Sequence, residues 1–302
     1  METEEVIFLA TDLTVERTVT MGAGEVALRN VNLSLNRGEL LVVAGESGSG
    51  KSLLCRLAAG AIDPRLRRLS GTIRIAGVDL FEARARVRRD LRASKICYLG
   101  KRADRALNPN RTVEQTLRDF SFLVDRKSRS KQPDWNDCFY RVGIVEPERI
   151  LSRKIGDLAA INIQRLCLMR ALIAEAQLVI CDESSSSLDR VAEGQFLDIL
   201  NRLREEEGYG VLVASGSLRG VANYADRAAV LYEGGILEEG NANEIVARPS
   251  HPYIRELLSL PPNLERAARE LPSISAEAIR AAEETIHGVA EDESDLVEEG
   301  TG

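Results

Sequence analysis

The segment Leu40-Leu41-Val42-Val43-Ala44 runs straight into Gly45-Glu46-Ser47-Gly48-Ser49-Gly50-Lys51-Ser52, and then into Leu53–Ala59. An apolar run of five suits a buried strand. The eight residues after it match G-x-x-x-x-G-K-[ST], placed between strand and helix as that pattern requires. The glycines let the backbone wrap closely, so that the N–H groups of residues 45–52 point at phosphate oxygens. A helix starting at Lys51 adds the positive end of its dipole. Gly45, Glu46, Ser47, Gly48, Ser49, Gly50, Lys51 and Ser52 are therefore the candidate nucleotide-binding residues. Lys51 is expected to reach the β- and γ-phosphates, and the Ser52 hydroxyl to bind Mg²⁺.

A second apolar strand ends in acid: Leu178-Val179-Ile180-Cys181-Asp182-Glu183. Asp182 is expected in the Mg²⁺ shell, and Glu183 as the general base that polarises the attacking water. Cys181 then reads as a core residue rather than a reactive thiol.

Outward from these two strands, further short strands are expected at 6–10, 25–35, 71–76, 96–99, 211–214 and 228–232. Asn36-Arg37-Gly38 reads as a turn, and Gly234-Gly235 turns into 236–239. Residues 102–176 read mostly as helix, broken at Asn108-Pro109 and Pro133, and look like an inserted subdomain. Residues 191–206 read as an amphipathic helix. Strands alternating with helices indicate an α/β fold with a largely parallel sheet. The core pattern stops after Pro261-Pro262. Residues 263–286 read as helical, and 290–302 as a disordered end.

The chain has 302 residues, 44% of them hydrophobic and 29% charged, enough to build a core. Its net charge of −7 is unevenly placed. Residues 281–302 hold eight acids and no Lys or Arg, so the remainder stands at +1. A near-neutral body argues against nucleic-acid binding through phosphate contacts. No apolar run approaches the ~20 residues that span a bilayer. The five cysteines form no Cys-x-x-Cys pair and read as free thiols of a reducing cytosol. Two histidines make a His-based metal site improbable.

Around these motifs the residues resemble the ATP-binding subunit of an ATP-binding cassette (ABC) transporter, over about residues 5–260. The supporting run is Gln164-Arg165, Arg170-Ala171-Leu172, the acid pair 182–183 and Ser187-Leu188-Asp189. Leu107-Asn108-Pro109 with Thr112-Val113, and His251-Pro252-Tyr253 with Leu257-Leu258, resemble the dipeptide/oligopeptide/nickel importer branch. The resemblance implies a P-loop NTPase of ABC type: a mostly parallel core, an antiparallel β subdomain and a helical subdomain at about 102–176. It divides the chain into a cassette, 1–260, and an acidic extension, 261–302. It also implies ATP and Mg²⁺ as ligands. The implied partners are membrane-spanning permease subunits, a second ATP-binding subunit and an extracytoplasmic solute-binding protein. The place implied is the inner face of the cell membrane. His251 reads more simply as packing against a C-terminal helix than as a ligand.

Against the family pattern, several positions depart. The Leu-Ser-Gly-Gly signature falls on Leu158-Ala159-Ala160-Ile161, the switch histidine on Gly216, and the Q-loop glutamine on Lys101. The adenine-stacking aromatic falls on Arg17, whose guanidinium can still stack. Removing one transition-state donor costs on the order of 10²–10³ in rate. The expectation is an ATP-binding half with weak turnover, paired with a more complete paralogue. The alternative is a regulatory ATP-binding module that no longer turns over. The basic stretch Arg84–Lys95 reads as a solvated helix face, because it lacks the interleaved aromatics of a nucleic-acid patch.

Overall fold

A computed structural model of the chain describes residues 6–18, 24–102, 105–123, 134–259 and 274–298. Its strands fall into two sheets. The first is antiparallel, ordered β2-β1-β4-β5, from β1 (Val6–Arg17), β2 (Glu25–Asn36), β4 (Leu66–Ile75) and β5 (Val78–Asp79). The second is ordered β10-β9-β3-β8-β7-β6. It contains β3 (Leu40–Ala44), β6 (Ile96–Leu99), β7 (Leu178–Asp182), β8 (Gly210–Ser215), β9 (Arg227–Tyr232) and β10 (Gly235–Asn241). Its pairs are parallel except β9 with β10.

Every residue of β3 and β7 is buried, as expected for central strands of a sheet covered on both faces. Odd and even residues of β3 feed different cores. Leu41 and Val43 join a cluster with β1, β2 and α1 (Lys51–Ala58). Leu40, Val42 and Ala44 join a larger cluster with the helices. Alternation across a strand thus ties both layers to one backbone.

The helical insert comprises α3 (Val113–Leu123), α4 (Trp135–Arg141), α5 (Glu148–Leu151) and α6 (Ala160–Ile173), after α2 (Ala85–Ser94) has led into β6. Trp135 packs at the edge of the larger core. α7 (Arg190–Glu207) follows the acid pair. Asp189 caps its start by accepting from the Ala192 N–H, and Gly208 ends it in the left-handed region at φ 66°. The chain then passes α8 (Leu218–Val221) and α9 (Ala242–Ala247) to α10 (Pro252–Ser259) and α11 (Ala276–Glu298).

Several boundaries differ from the sequence expectation. β1 extends to Arg17, because register shifts at Asp12 and Val15 let the strand bend without losing its partners. β4 starts at Leu66 rather than at the expected 71, and so takes in Arg67 and Arg68. In the fold they are held by Glu16, and by Asp79 and Glu82. α2 buries none of its residues, as read for the basic stretch, yet two of its arginines have structural work. Arg88 donates to the carbonyls of Leu80 and Ala83, and Arg92 to that of Gly60.

Residues 263–273 of the stretch read as helical lie outside the described residues. The helix seen, α11, continues to Glu298, past the point where the sequence reading placed disorder. Ala, Glu and Leu favour the helical state. α11 packs on α10 and β10 through buried Ala278, Ala282 and Ile286. His251 serves that packing. Its Nε2 lies 3.3 Å from the Ala281 carbonyl and 3.2 Å from the Thr285 hydroxyl, and its Nδ1 accepts from the Tyr253 N–H.

Candidate functional site

Parallel pairing places the C-terminal ends of β3, β7 and β6 along one edge of the sheet, with β8 between β3 and β7, and each end delivers part of one site. After β3 the loop 45–50 turns into α1. Gly45 has φ +148°, and a Cβ on it would lie 2.3 Å from the Leu231 carbonyl oxygen. Gly50, the N-cap of α1, has φ +106°. These two positions require glycine, one for close approach to β9 and one for its dihedral. A Cβ on Gly48 would meet nothing within 4 Å, so the outer rim of the loop stays open. The buried Ser49 hydroxyl has no hydrogen-bond partner among the described residues.

Lys51 is only 3% exposed. Its Nζ donates to the Gly45 and Glu46 carbonyls, each at 2.7 Å, and stands 3.6 Å from Glu183 Oε1. Burial lowers its pKa from the ordinary lysine value, against the pull of Glu183, and the second ammonium of Lys101 adds to the lowering. Ser52 Oγ donates to Asp182 Oδ1 at 2.7 Å. The fold thus brings Lys51, Ser52, Asp182 and Glu183 together across 130 residues of sequence.

β6 and the loop after it supply two residues whose contacts with the acid pair the sequence reading did not give. Tyr98 was passed over in an apolar strand, and its hydroxyl donates to Asp182 Oδ2 at 2.8 Å. Burial and then the Asp182 charge push its pKa well above the ordinary tyrosine value. Lys101, at the glutamine position, puts Nζ 2.8 Å from Glu183 Oε2. Glu183 is therefore bracketed by two ammonium groups, and its side chain is 11% exposed. Its backbone sits at φ +48°, a conformation costing about 1–2 kcal/mol for a residue with a Cβ. The Glu183 N–H donating to the Ala214 carbonyl at 3.1 Å helps to hold it there.

Behind Glu183, Gln164 is fully buried on α6, and its amide donates to the Ser184 carbonyl. Glu46 reaches the other way. Tyr253 Oη of α10 donates to Glu46 Oε2 at 3.0 Å, and the Tyr253 ring packs edge-on against Tyr232 at 4.9 Å. Only a glutamine–arginine anchor and a branch motif marked these two residues in the sequence. Cys181 lies buried beneath the acid pair, its thiol raised to about 12 by desolvation, as expected of a core cysteine.

The departing positions are also placed. α6 begins at Ala160 with Ala159 as N-cap, and no side chain caps it. Ala159 and Ala160 are exposed, while Ile161 packs against the core. Gly216 is exposed, and a Cβ there would touch nothing. Arg17 lines a cavity of about 690 Å³ with Leu53 and Arg56 of α1.

A strand-loop-helix lysine and an acid pair meeting in this topology match a known family. Residues 28–186, just over half the chain, match the ABC transporter family. The chain belongs to the ABC transporter family. This member is 32% identical over 252 residues to a putative peptide import ATP-binding protein of Brucella abortus, covering 82% of this chain and 75% of the relative. It is 30% identical over 273 residues to the oligopeptide transport ATP-binding protein AmiE of Streptococcus pneumoniae, covering 90% and 77%. It is 29% identical over 251 residues to the oligopeptide transport ATP-binding protein OppD of Lactococcus lactis subsp. cremoris, covering 83% and 74%. Among solved structures, a dimeric bacterial ABC transporter cassette aligns with TM-score 0.65 at 23% identity, over 78% of this chain and 99% of its own. A Clostridium perfringens cassette, part of an ABC transporter complex, aligns with TM-score 0.67 at 23% identity, over 87% and 97%. At these identities the likeness is one of fold.

The hard oxygen donors Ser52 and Asp182 suit Mg²⁺, which would be held between them and phosphate oxygens. Such an ion supplies charge neutralisation of the phosphates. Among the described residues no helix of this ABC protein is long and apolar enough to cross a membrane.

Proposed function

We propose that this chain is the ATP-binding, energy-coupling subunit of an importer of peptides, nickel or a related small solute. Residues 45–52 and Asp182 hold ATP, with Mg²⁺ on Ser52 and Asp182. Residues 1–260 form the cassette, and 261–302 are its extension. The subunit works at the inner face of the cell membrane, on permease subunits, opposite a second ATP-binding subunit with intact sensors. A solute-binding protein outside the membrane feeds the same system, and no nucleic acid is involved. The peptide-import names of its relatives support the branch.

One observation carries the reading of weak turnover: both carboxylate oxygens of Glu183 are engaged by ammonium groups, at 3.6 and 2.8 Å. An ammonium group at each oxygen competes with the water that the carboxylate would have to hold and polarise. The missing hydroxyl at Ala159 and the missing imidazole at Gly216 act in the same direction. The same ion pair favours a second reading, a regulatory module without turnover. Transport by the reconstituted complex decides between them. In the first reading, the purified chain binds ATP with little turnover, and Lys51→Ala in the complex stops transport while Glu183→Ala leaves it within about twofold. Family-typical turnover by the chain alone refutes the weak-hydrolysis reading. Transport that survives Lys51→Ala refutes the coupling role.

A further inference from the structure

The lysine at the glutamine position alters the charge balance of the nucleotide site itself. Asp182 and Glu183 are consecutive carboxylates at the end of β7, with side chains only 3% and 11% exposed. Lys51 Nζ stands 3.6 Å from Glu183 Oε1, and Lys101 Nζ 2.8 Å from Glu183 Oε2. Two carboxylates thus face two ammonium groups. With a neutral side chain at 101 the same cluster would carry one positive charge fewer. A polyphosphate would then need a divalent cation to offset the acids as well as its own oxygens. Lys101 is 44% exposed, so water screens its charge in part, but its Nζ stands at contact distance from the 11%-exposed Glu183 carboxylate, where one positive charge still matters.

The metal's own side of the site points the same way. Both Asp182 oxygens already accept hydroxyl protons, from Ser52 at 2.7 Å and Tyr98 at 2.8 Å. The two hydroxyl donors already stabilise the Asp182 carboxylate, while each oxygen keeps a lone pair for a cation. An ammonium at 101 offers no lone pair to a metal, where an amide oxygen would. It repels the ion instead.

We infer that Lys101 is a fixed counter-charge that lets this site hold an adenine nucleotide with little dependence on divalent metal. The inference rests on reading residues 45–52 as an ATP site. It concerns binding, and is separate from how fast the nucleotide is hydrolysed.

The test is calorimetric titration of the purified full chain with ATP, once in millimolar Mg²⁺ and once in excess EDTA. The wild-type affinities are expected to agree within about threefold. In Lys101→Gln, removing the metal is expected to weaken binding by about tenfold or more, the response of a site that has lost one nearby positive charge. Lys101→Arg keeps the charge and is expected to behave as wild type. With its side chain 44% exposed, residue 101 tolerates both changes without disturbing the core. A tenfold loss of wild-type affinity in EDTA overturns the inference, and so does a Lys101→Gln variant whose metal response equals the wild type's. Absence of ATP binding in both buffers overturns the nucleotide-site reading, and the inference falls with it.

Discussion

Removing one oxygen atom, by Tyr98→Phe, tests whether the acid pair is held by β6 as the structure shows. Asp182 is 3% exposed, and Tyr98 Oη donates to its Oδ2 at 2.8 Å. A hydrogen bond to a charged acceptor contributes about 1.5–3 kcal/mol, because the partner left behind is a poorly hydrated anion. Asp182 keeps the Ser52 bond on its other oxygen, so the lower end applies, about 1.5 kcal/mol. The phenylalanine ring fills the same space, and no cavity term is added. For a chain of this size, that loss lowers the thermal midpoint by about 2–3 °C. The assay is a circular-dichroism melt of the nucleotide-free protein at neutral pH, beside Tyr140→Phe. Tyr140 is 70% exposed, and its replacement is expected to leave the midpoint unchanged. A Tyr98→Phe midpoint within about 1 °C of wild type would show that the hydroxyl contributes nothing to holding Asp182, and the geometry argued for the acid pair would be wrong.

Two further outcomes follow from the loop and the core. Gly45→Ala puts a Cβ 2.3 Å from the Leu231 carbonyl oxygen and is expected to cost about 3 kcal/mol or more, whereas Gly48→Ala, with open space and φ +91°, costs about 1 kcal/mol; denaturant titration of both checks the contrast. All five cysteines are free and buried, with Cys167 and Cys181 raised to about 12 and Cys138 to about 11 by desolvation. The folded protein is therefore expected to react slowly with a disulfide reagent at pH 8 and all five thiols to react promptly in denaturant. Because these thiols ionise more readily when unfolded, their contribution to stability is full below pH ~9 and is lost as pH rises towards the folded values. Denaturation midpoints that rise between pH 9 and 11 would contradict that sign.

The phosphate loop, the acid pair and the α/β order were legible in sequence, because each depends on a local requirement. Gly45 and Gly50 answer dihedral and clearance demands within a few residues, and an uninterrupted apolar run such as Leu178–Cys181 is what a strand buried on both faces must be. Spacing from matched neighbours also placed the family's signature, switch and glutamine positions on Ala159, Gly216 and Lys101 in the sequence reading. Strand ends were less so: Arg67 and Arg68 belong to β4 only because Glu16, Asp79 and Glu82 pair with them from elsewhere in the chain.

The chemistry between elements belonged to the tertiary structure alone. Nothing local in Ile96-Cys97-Tyr98-Leu99 says that one hydroxyl reaches an acid 84 residues away. Nor does His251-Pro252-Tyr253 say that the tyrosine reaches Glu46 of the loop, 207 residues back. Sequence determined which residue types were available at the ends of β3, β6 and β7. Parallel pairing then set those ends along one edge of the sheet, and only this juxtaposition made Lys101 a partner of Glu183. Charge interactions act through space, at ångström range, and their range takes no account of distance along the chain.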